Sequence, residues 1–437
     1  MRITVIGCGY LGAVHAACMA ELGHEVLGID VDRAKVGLLA AGRAPFYEPG
    51  LPELLTSAGA TGRLEFTTDI TRAADADVHF IAVGTPQKKG EYAADLSYVD
   101  AAVTALAPHL KPGALVVGKS TVPVGTARRL AGIVKAAQPE AELAWNPEFL
   151  REGFAVEDTL RPDRIVYGVA EGAGGERAKT QLDAVYATAL GNETPLVVTG
   201  YETAELVKVS ANAFLATKIS FINAIAEIAD VTGADVTKIA DAIGYDARIG
   251  RRFLNAGLGF GGGCLPKDIR AFQARAGELG ADQALTFLRE VDQINMRRRV
   301  RAVDLTRELL DGSLLGKKVA VLGLAFKPES DDVRDSPSLD VASQLRAQGA
   351  RVVAYDPQAV ENAKRLRPEL DYAASSAEAA ADADAVVLLT EWKEFRELDP
   401  AAFGAVVGEQ RILDGRNCLD PEQWRAAGWR YRALGRP

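Results

Sequence analysis

The sequence predicts an α/β protein of two parallel-sheet domains joined by a long central helix and a helical middle domain. Three observations carry this. Over roughly the first 195 residues, short apolar runs alternate with helical patterns, the signature of strand–helix–strand units. From Thr203 to about Gly233 no proline interrupts a helical spacing of apolar residues. A second alternating block then begins at Lys317. At 437 residues the chain also exceeds what one hydrophobic core supports.

In the first block the predicted strands are Ile3–Ile6, Glu25–Ile29, Val78–Val83, Leu115–Gly118, Leu143–Trp145 and Ile165–Gly168. The long helix should gather Leu206, Val209, Ala213, Ala216 and Ser220 on one face. The helical texture continues to about Leu310. In the second block the predicted strands are Val319–Gly323, Val352–Tyr355, Ala385–Leu389 and Arg411–Asp414, and the alanine-rich Ala373–Ala385 reads as helical. These boundaries give domains over 1–196, 197–312 and 313–437. A long amphipathic helix between domains buries its apolar face either by carrying them rigidly or by pairing with its own copy, and a homodimer is expected.

Composition bounds the function. Apolar residues make up 48% and charged residues 25%, as in soluble globular proteins. A formal charge of -9 argues against a general nucleic-acid or membrane-surface role, while leaving room for a local basic pocket. The cysteines at 8, 18, 264 and 418 show no pairing pattern, which suits a reducing cytoplasm. The histidines at 15, 24, 79 and 109 give no metal-ligand spacing, so no metal is expected. Arg2–Gly7 already reads as a folded strand rather than a signal peptide, and no apolar run approaches the ~20 residues of a membrane span.

Gly7-Cys-Gly-Tyr-Leu-Gly12 fits the G-x-G-x-x-G fingerprint between a strand and an alanine-rich helix, which makes the flanking domain Rossmann-like. Gly7, Gly9 and Gly12, with Tyr10 and Leu11 between them, are cofactor-binding candidates. The glycines allow a tight turn and close approach of a pyrophosphate to the helix N-terminus. The second strand ends in Asp30, whose carboxylate would accept hydrogen bonds from ribose hydroxyls and repel a 2′-phosphate. NAD is therefore favoured over NADP. The second block opens Val319-Ala-Val-Leu-Gly-Leu-Ala-Phe-Lys327 and is also Rossmann-like, but only one glycine stands where the fingerprint wants three. Phe326, Lys327 and the polar run around Arg334 suit a base and a phosphate better than a whole dinucleotide; the alternative is a solvated charged loop. A nucleotide-linked substrate reaching from one domain to the other is the economical reading.

The chemistry centres on Gly259-Phe-Gly-Gly-Gly-Cys-Leu-Pro-Lys-Asp268. Cys264 sits in a glycine-rich loop, with Lys267 to favour thiolate and Asp268 to move a proton; taken without its neighbours, it reads first as a small buried residue in a tight loop. Asn146-Pro-Glu-Phe-Leu-Arg-Glu-Gly153 follows a strand, and Glu148 and Glu152, four apart, would stack on a helical turn unless Glu148 simply caps a helix. Lys208 and Asn212 are four apart on the long helix. They would donate to an oxyanion, or else lie on an exposed face. Beside an NAD site a nucleophilic thiol has a purpose. It captures an aldehyde as a thiohemiacetal that gives up a second hydride, and the thioester then hydrolyses.

Taken together these motifs strongly resemble the UDP-glucose 6-dehydrogenase family, within the broader UDP-glucose/GDP-mannose dehydrogenases, over nearly the whole chain. The resemblance also includes Tyr47-Glu-Pro-Gly-Leu51, Val83-Gly-Thr-Pro86, Lys119-Ser-Thr-Val-Pro-Val-Gly125 and Asp332-Val-Arg-Asp-Ser336. It implies oxidation of a nucleotide hexose twice at C6, with two NAD consumed. Cys264 would be the nucleophile, and Asp268 would work with a water near Thr121. Lys208 and Asn212 would stabilise oxyanions, and Glu152 would handle protons beside the nicotinamide. Asp30, Lys35, Thr85, Thr121, Glu152, Lys267 and Arg334 match cofactor positions. Glu148, Phe149, Leu150, Arg151, Glu152, Lys208, Asn212, Phe253, Leu254, Asn255, Gly257, Gly261, Phe326 and Lys327 match substrate positions. Arg248 resembles an arginine that reaches a neighbouring subunit's substrate. The segments around Asn212 and Arg248 resemble enzymes of UDP-glucose more closely than those of GDP-mannose; the alternative is the same chemistry on GDP-mannose or a UDP-N-acetylhexosamine. Cys8 at a variable fingerprint position and the Gln87–Gly90 loop depart from the pattern without bearing on the chemistry.

Overall fold

A computed structural model describes the whole chain, Met1–Pro437. It divides into two compact units, Met1–Ala211 with Arg270–Gly280, and Asn212–Ile269 with Ala281–Pro437. The first unit holds β1 (Arg2–Ile6), β2 (Glu25–Ile29), β3 (Leu64–Thr67), β4 (Val78–Ile81), β5 (Leu115–Gly118), β6 (Glu142–Trp145), β7 (Ile165–Val169) and β8 (Leu196–Thr199). They form one sheet in the order β3-β2-β1-β4-β5-β6-β7-β8. The pairing is parallel except between β6 and β7, which run antiparallel, so the expected all-parallel sheet is corrected at that joint. Neighbouring residues along a strand enter alternate cores, as a two-residue period requires. Val5, Phe80 and Val117 pack on one face, and Ile6, Ile81 and Val116 on the other.

The second unit holds β9 (Lys318–Leu322), β10 (Arg351–Tyr355), β11 (Asp371–Tyr372), β12 (Ala385–Leu388), β13 (Arg411–Asp414) and β14 (Arg430–Ala433), all parallel in the order β11-β10-β9-β12-β13-β14. Helices on the sheet close a core that includes Val321, Val387, Leu345 and Phe395. The alanine-rich stretch is helical only over Ser376–Ala380; its first residues follow β11 and it ends in a turn before β12.

The long helix spans Tyr201–Thr232, 32 residues, and the boundary between the units falls within it. Val209, Ala213, Ala216 and Ser220 are buried as expected, but Leu206 is 36% exposed and leaves that face. A different face carries exposed Phe214, Phe221 and Ile228 at seven-residue intervals. This helix corrects one expectation. By length and composition it is apolar enough to cross a membrane, although 44% of its most apolar window is buried within the protein. A second small core joins it to the helix Val236–Gly244 through Ile222, Ala226, Val236, Ala240 and Leu254.

Candidate active site

In the first unit the fingerprint forms the turn its glycines require. Gly7 adopts φ 90° and its N–H meets the carbonyl of Ile29 at 2.8 Å. A Cβ on Gly12 would collide with the carbonyl oxygen of Gly7, whereas a Cβ on Gly9 would meet nothing within 4 Å. The backbone is therefore tight on the protein side and open at Gly9, the N-cap of the helix Tyr10–Glu21. Leu11 packs partly into the core beneath. Asp30, 8% exposed, accepts from the N–H of Cys8 at 2.7 Å and of Asp32 at 2.9 Å, and from Lys35 Nζ at 2.9 Å. Burial raises its proton affinity, but these donors outweigh burial and hold the carboxyl below its usual range. An open glycine turn beside an ionised carboxylate at the end of β2 fits NAD.

The loops after β4 and β5 are tied together. Thr85 Oγ1 donates to the carbonyl of Thr121 at 2.7 Å, and Ser120 Oγ to that of Val83 at 2.6 Å. Lys119 is buried. Its Nζ donates to Asn146 Oδ1 at 2.8 Å and to the Tyr186 hydroxyl at 3.1 Å, and burial pulls its pKa down to about 8. The segment Asn146–Gly153 is irregular, with the next helix starting only at Ala155, so Glu148 and Glu152 do not stack on a helical turn. Pro147 disfavours helical backbone at Asn146. Glu148 does not cap that helix either. Its Oε1 pairs with Lys208 Nζ at 3.1 Å, and its Oε2 accepts from the N–H of Leu150 at 2.6 Å. Phe149 lies under Arg164, whose guanidinium carbon is 3.7 Å from the ring centroid, and Arg151 pairs with Asp158. Glu152 is half-buried. Tyr10, expected at the cofactor, turns its hydroxyl to Glu48 and to the N–H of Gly153.

In the second unit the nucleophile candidate stands apart from the other thiols. Cys8 and Cys18 are buried and pushed up to about 12, and burial also raises Cys418, whereas Cys264 is exposed. This removes the reading of Cys264 as a buried filler. Its carbonyl accepts from the N–H of Asp268 at 2.9 Å, so it sits at the N-terminus of the helix Leu265–Glu278, where the helix dipole favours thiolate. Asp268, 2% exposed, has both oxygens engaged: Asn212 Nδ2 donates at 2.7 Å, and Lys267 Nζ lies 2.5 Å away. Lys208 and Asn212 are 6% and 8% exposed, so the exposed-face alternative fails.

The remaining expected substrate positions lie in this unit. Phe253 has φ 68°, Leu254 is buried, and Asn255 accepts from Arg251 at 2.8 Å. Gly257 donates to Asn223 Oδ1 at 2.9 Å and accepts from Arg298 Nε at 3.2 Å. A Cβ on Gly261 would strike the carbonyl of Asp335, and one on Gly262 would meet the Phe326 ring at 2.9 Å. Lys327 Nζ lies 5.6 Å from the Phe326 ring centroid, and Arg334 pairs with Asp332 at 2.7 Å while packing on Gly263. Arg248 projects outward, its side chain 89% exposed and paired with Asp246.

Sequence reading missed three residues that hold these loops. Glu48 accepts from the N–H groups of Gly153 and Ala155, each at 2.7 Å, and so fixes the end of the Asn146–Gly153 segment. Asn295 grips both the N–H and the carbonyl of Phe260, at 2.7 and 2.9 Å. Arg416 reaches the carbonyl of Gly259 at 2.9 Å. An acidic side chain inside a Tyr-Glu-Pro-Gly run was the one available signal, for Glu48.

An open glycine turn beside an ionised carboxylate fits a dinucleotide-binding domain, and its relatives make this chain an NAD-dependent dehydrogenase. The comparisons carry it further. Residues 1–190 match the NAD binding domain of the UDP-glucose/GDP-mannose dehydrogenase family, residues 202–297 its central domain and residues 320–421 its UDP binding domain. The UDP-glucose 6-dehydrogenase of Rhizobium meliloti (strain 1021) is 45% identical over 440 residues, covering 100% of both chains. One from Bacillus subtilis (strain 168) is 42% identical, covering 100% of this chain and 93% of its own. The solved UDP-glucose dehydrogenase from Pyrobaculum islandicum superposes with a TM-score of 0.91 at 40% identity, covering 100% of this chain and 98% of that one. A UDP-D-ManNAc dehydrogenase from Pyrococcus horikoshii gives 0.87 at 28%, with 100% and 99% covered. The chain belongs to the UDP-glucose/GDP-mannose dehydrogenase family.

Proposed function

We propose that this protein is a UDP-glucose 6-dehydrogenase that converts the C6 alcohol of UDP-glucose to the carboxylate of UDP-glucuronate. The observation that carries the chemistry is an exposed Cys264 at a helix N-terminus, one turn from an Asp268 whose oxygens are held by Asn212 and Lys267. Relatives that carry this activity in their names match the chain from end to end, which supports UDP-glucose over other nucleotide sugars.

When bound, NAD supplies the hydride acceptor for each oxidation. Gly7, Gly9 and Gly12 would hold its pyrophosphate, Asp30 its ribose hydroxyls, and Thr85, Thr121, Glu152, Lys267 and Arg334 its remaining contacts. In the first oxidation C6 loses a hydride and its hydroxyl a proton. Lys208 and Asn212 donate to the alkoxide as charge gathers on it. The Cys264 thiolate then adds to the aldehyde carbon, forming the C6–S bond, and the oxygen takes a proton. The second oxidation removes the other C6 hydride and that hydroxyl proton, leaving a thioester. Water attacks the thioester carbon while Asp268 takes its proton, and the C6–S bond breaks to return thiolate and release the acid. The balance is two hydrides, one water consumed and three protons released.

In this reading the segment 1–196 serves the cofactor, 197–312 carries the thiol and the dimer contact, and 313–437 binds the UDP moiety through Phe326 and Lys327. The exposed Phe214, Phe221 and Ile228 suit a homodimer, and the protein works in the cytoplasm. Following NADH at 340 nm with UDP-glucose, GDP-mannose and UDP-N-acetylhexosamines tests the assignment. Two NADH per UDP-glucose is expected. One per sugar removes the double oxidation, and no turnover of UDP-glucose removes the substrate. Cys264→Ser should bind UDP-glucose and NAD yet form almost no UDP-glucuronate; a normal acid yield from that variant excludes the thiol.

A further inference from the structure

We infer that Arg416 is a positioning residue that couples the nucleotide loop at Phe326 to the loop that ends in Cys264. The inference rests on the reading of Cys264 as nucleophile and of 326–327 as the site for the nucleotide.

Arg416 follows β13, and its backbone N–H is fixed by the fully buried Asp414 at 3.0 Å. From there its guanidinium makes three carbonyl contacts in different parts of the unit. Nε donates to Leu389 at 2.6 Å, Nη1 to Gly259 at 2.9 Å, and Nη2 to Phe326 at 3.1 Å. Glu391 balances the charge at 3.4 Å, and the side chain is only 11% exposed. A planar fork with fixed donor directions can hold three acceptors in one geometry, which the single point charge of lysine cannot.

These contacts close a circuit. Gly259 is held by Arg416, and the next residue, Phe260, is held at both backbone groups by Asn295. Gly262 donates to the carbonyl of Arg334 at 3.0 Å and packs on the Phe326 ring. The carbonyl of Phe326 returns to Arg416. The thiol loop and the nucleotide loop are therefore joined by ring on glycine, by the Gly262 N–H on the Arg334 carbonyl, and by one guanidinium on two carbonyls. A base that stacks on Phe326 cannot shift that residue without moving Arg416 or Gly262. Cys264 is two residues past Gly262.

The test uses the full-length protein and UDP, which lacks the sugar and leaves the thiol accessible. In the wild type, saturating UDP without NAD should change the rate of Cys264 alkylation by iodoacetamide by about threefold or more, read by mass spectrometry. Arg416→Lys should bind UDP within about threefold of the wild type, lose the alkylation response, and drop kcat about tenfold or more. An Arg416→Lys variant that keeps the wild-type response overturns the inference, as does a wild type with no response. Should that variant not fold, hydrogen exchange of the wild type decides. UDP should slow exchange across 259–264, and unchanged exchange there overturns the coupling. Failure of the functional reading is distinguishable, because it appears as absent NADH formation from UDP-glucose in the unsubstituted enzyme.

Discussion

The two Rossmann-like folds begin alike and then part. Gly7 after β1 has φ 90° and Gly323 after β9 has φ 97°, and each donates at 2.8 Å to the last residue of the neighbouring strand, Ile29 and Tyr355. In the first fold the helix starts at Tyr10, whereas in the second it waits until Pro337, behind the irregular 324–336 loop. The acidic residues that end or follow the second strands differ as well. Asp30 accepts from two N–H groups and Lys35. Asp356 accepts from the N–H groups of Leu324, Ala325, Gln358 and Ala359 and from the Trp392 indole. A carboxylate offers about four acceptor sites, so five donors saturate Asp356 and leave nothing for a ribose. Dinucleotide binding is thus a property of two local choices, a short turn and an acidic residue with acceptor capacity, rather than of the fold.

The comparison breaks most sharply at Gly12. Gly12→Val sets a side chain against the Gly7 carbonyl and should abolish NAD-dependent turnover, with UDP affinity changed by about twofold at most. Retained NAD affinity in calorimetry would mean that the turn does not carry the pyrophosphate. Asp356→Ala leaves five donors without their acceptor and should cost about 3 kcal/mol of stability, seen as a lower denaturant midpoint, while NAD affinity stays put. Asp30→Ala should do the reverse. NAD affinity falls by about 1–3 kcal/mol and the midpoint barely moves, and an unchanged affinity would place the ribose elsewhere.

What the sequence disclosed follows the same division between local and distant choices. Central strands such as Val78–Ile81 and Ala385–Leu388 are buried at every position, so they read as apolar runs. The strands that escaped notice are the sheet edges Leu64–Thr67, Leu196–Thr199, Asp371–Tyr372 and Arg430–Ala433, short and partly exposed, with no such run to betray them. The antiparallel step at β7 was invisible because hydropathy carries no strand direction. Among the candidate site residues, Asp30, Cys264, Asp268 and Asn212 were legible because they stand in local motifs or at a helical spacing. Glu48, Asn295 and Arg416 were not, because they act on backbone groups 105, 35 and 157 residues away.

The smallest expected effect concerns a buried carboxylate of the first unit that, unlike Asp356, is not saturated. Glu205, 2% exposed on the long helix, accepts from the N–H groups of Gly125 and Ala127, each at 2.7 Å, at the start of the helix Thr126–Ala137 that follows the Thr121 loop. Burial raises its pKa to about 7 against those two donors. A carboxyl that holds its proton more tightly folded than unfolded contributes stability that is complete below the unfolded value and is lost as pH climbs to the folded one. Between about pH 4.5 and 7 the fold should therefore lose stability as this residue is forced to ionise. Glu205→Gln removes the titration, so its denaturant midpoint should decline less than the wild type's across that window. Parallel curves would mean that the N–H groups of Gly125 and Ala127 keep the carboxylate ionised throughout, and that the first unit binds its buried acid as firmly as the second binds Asp356.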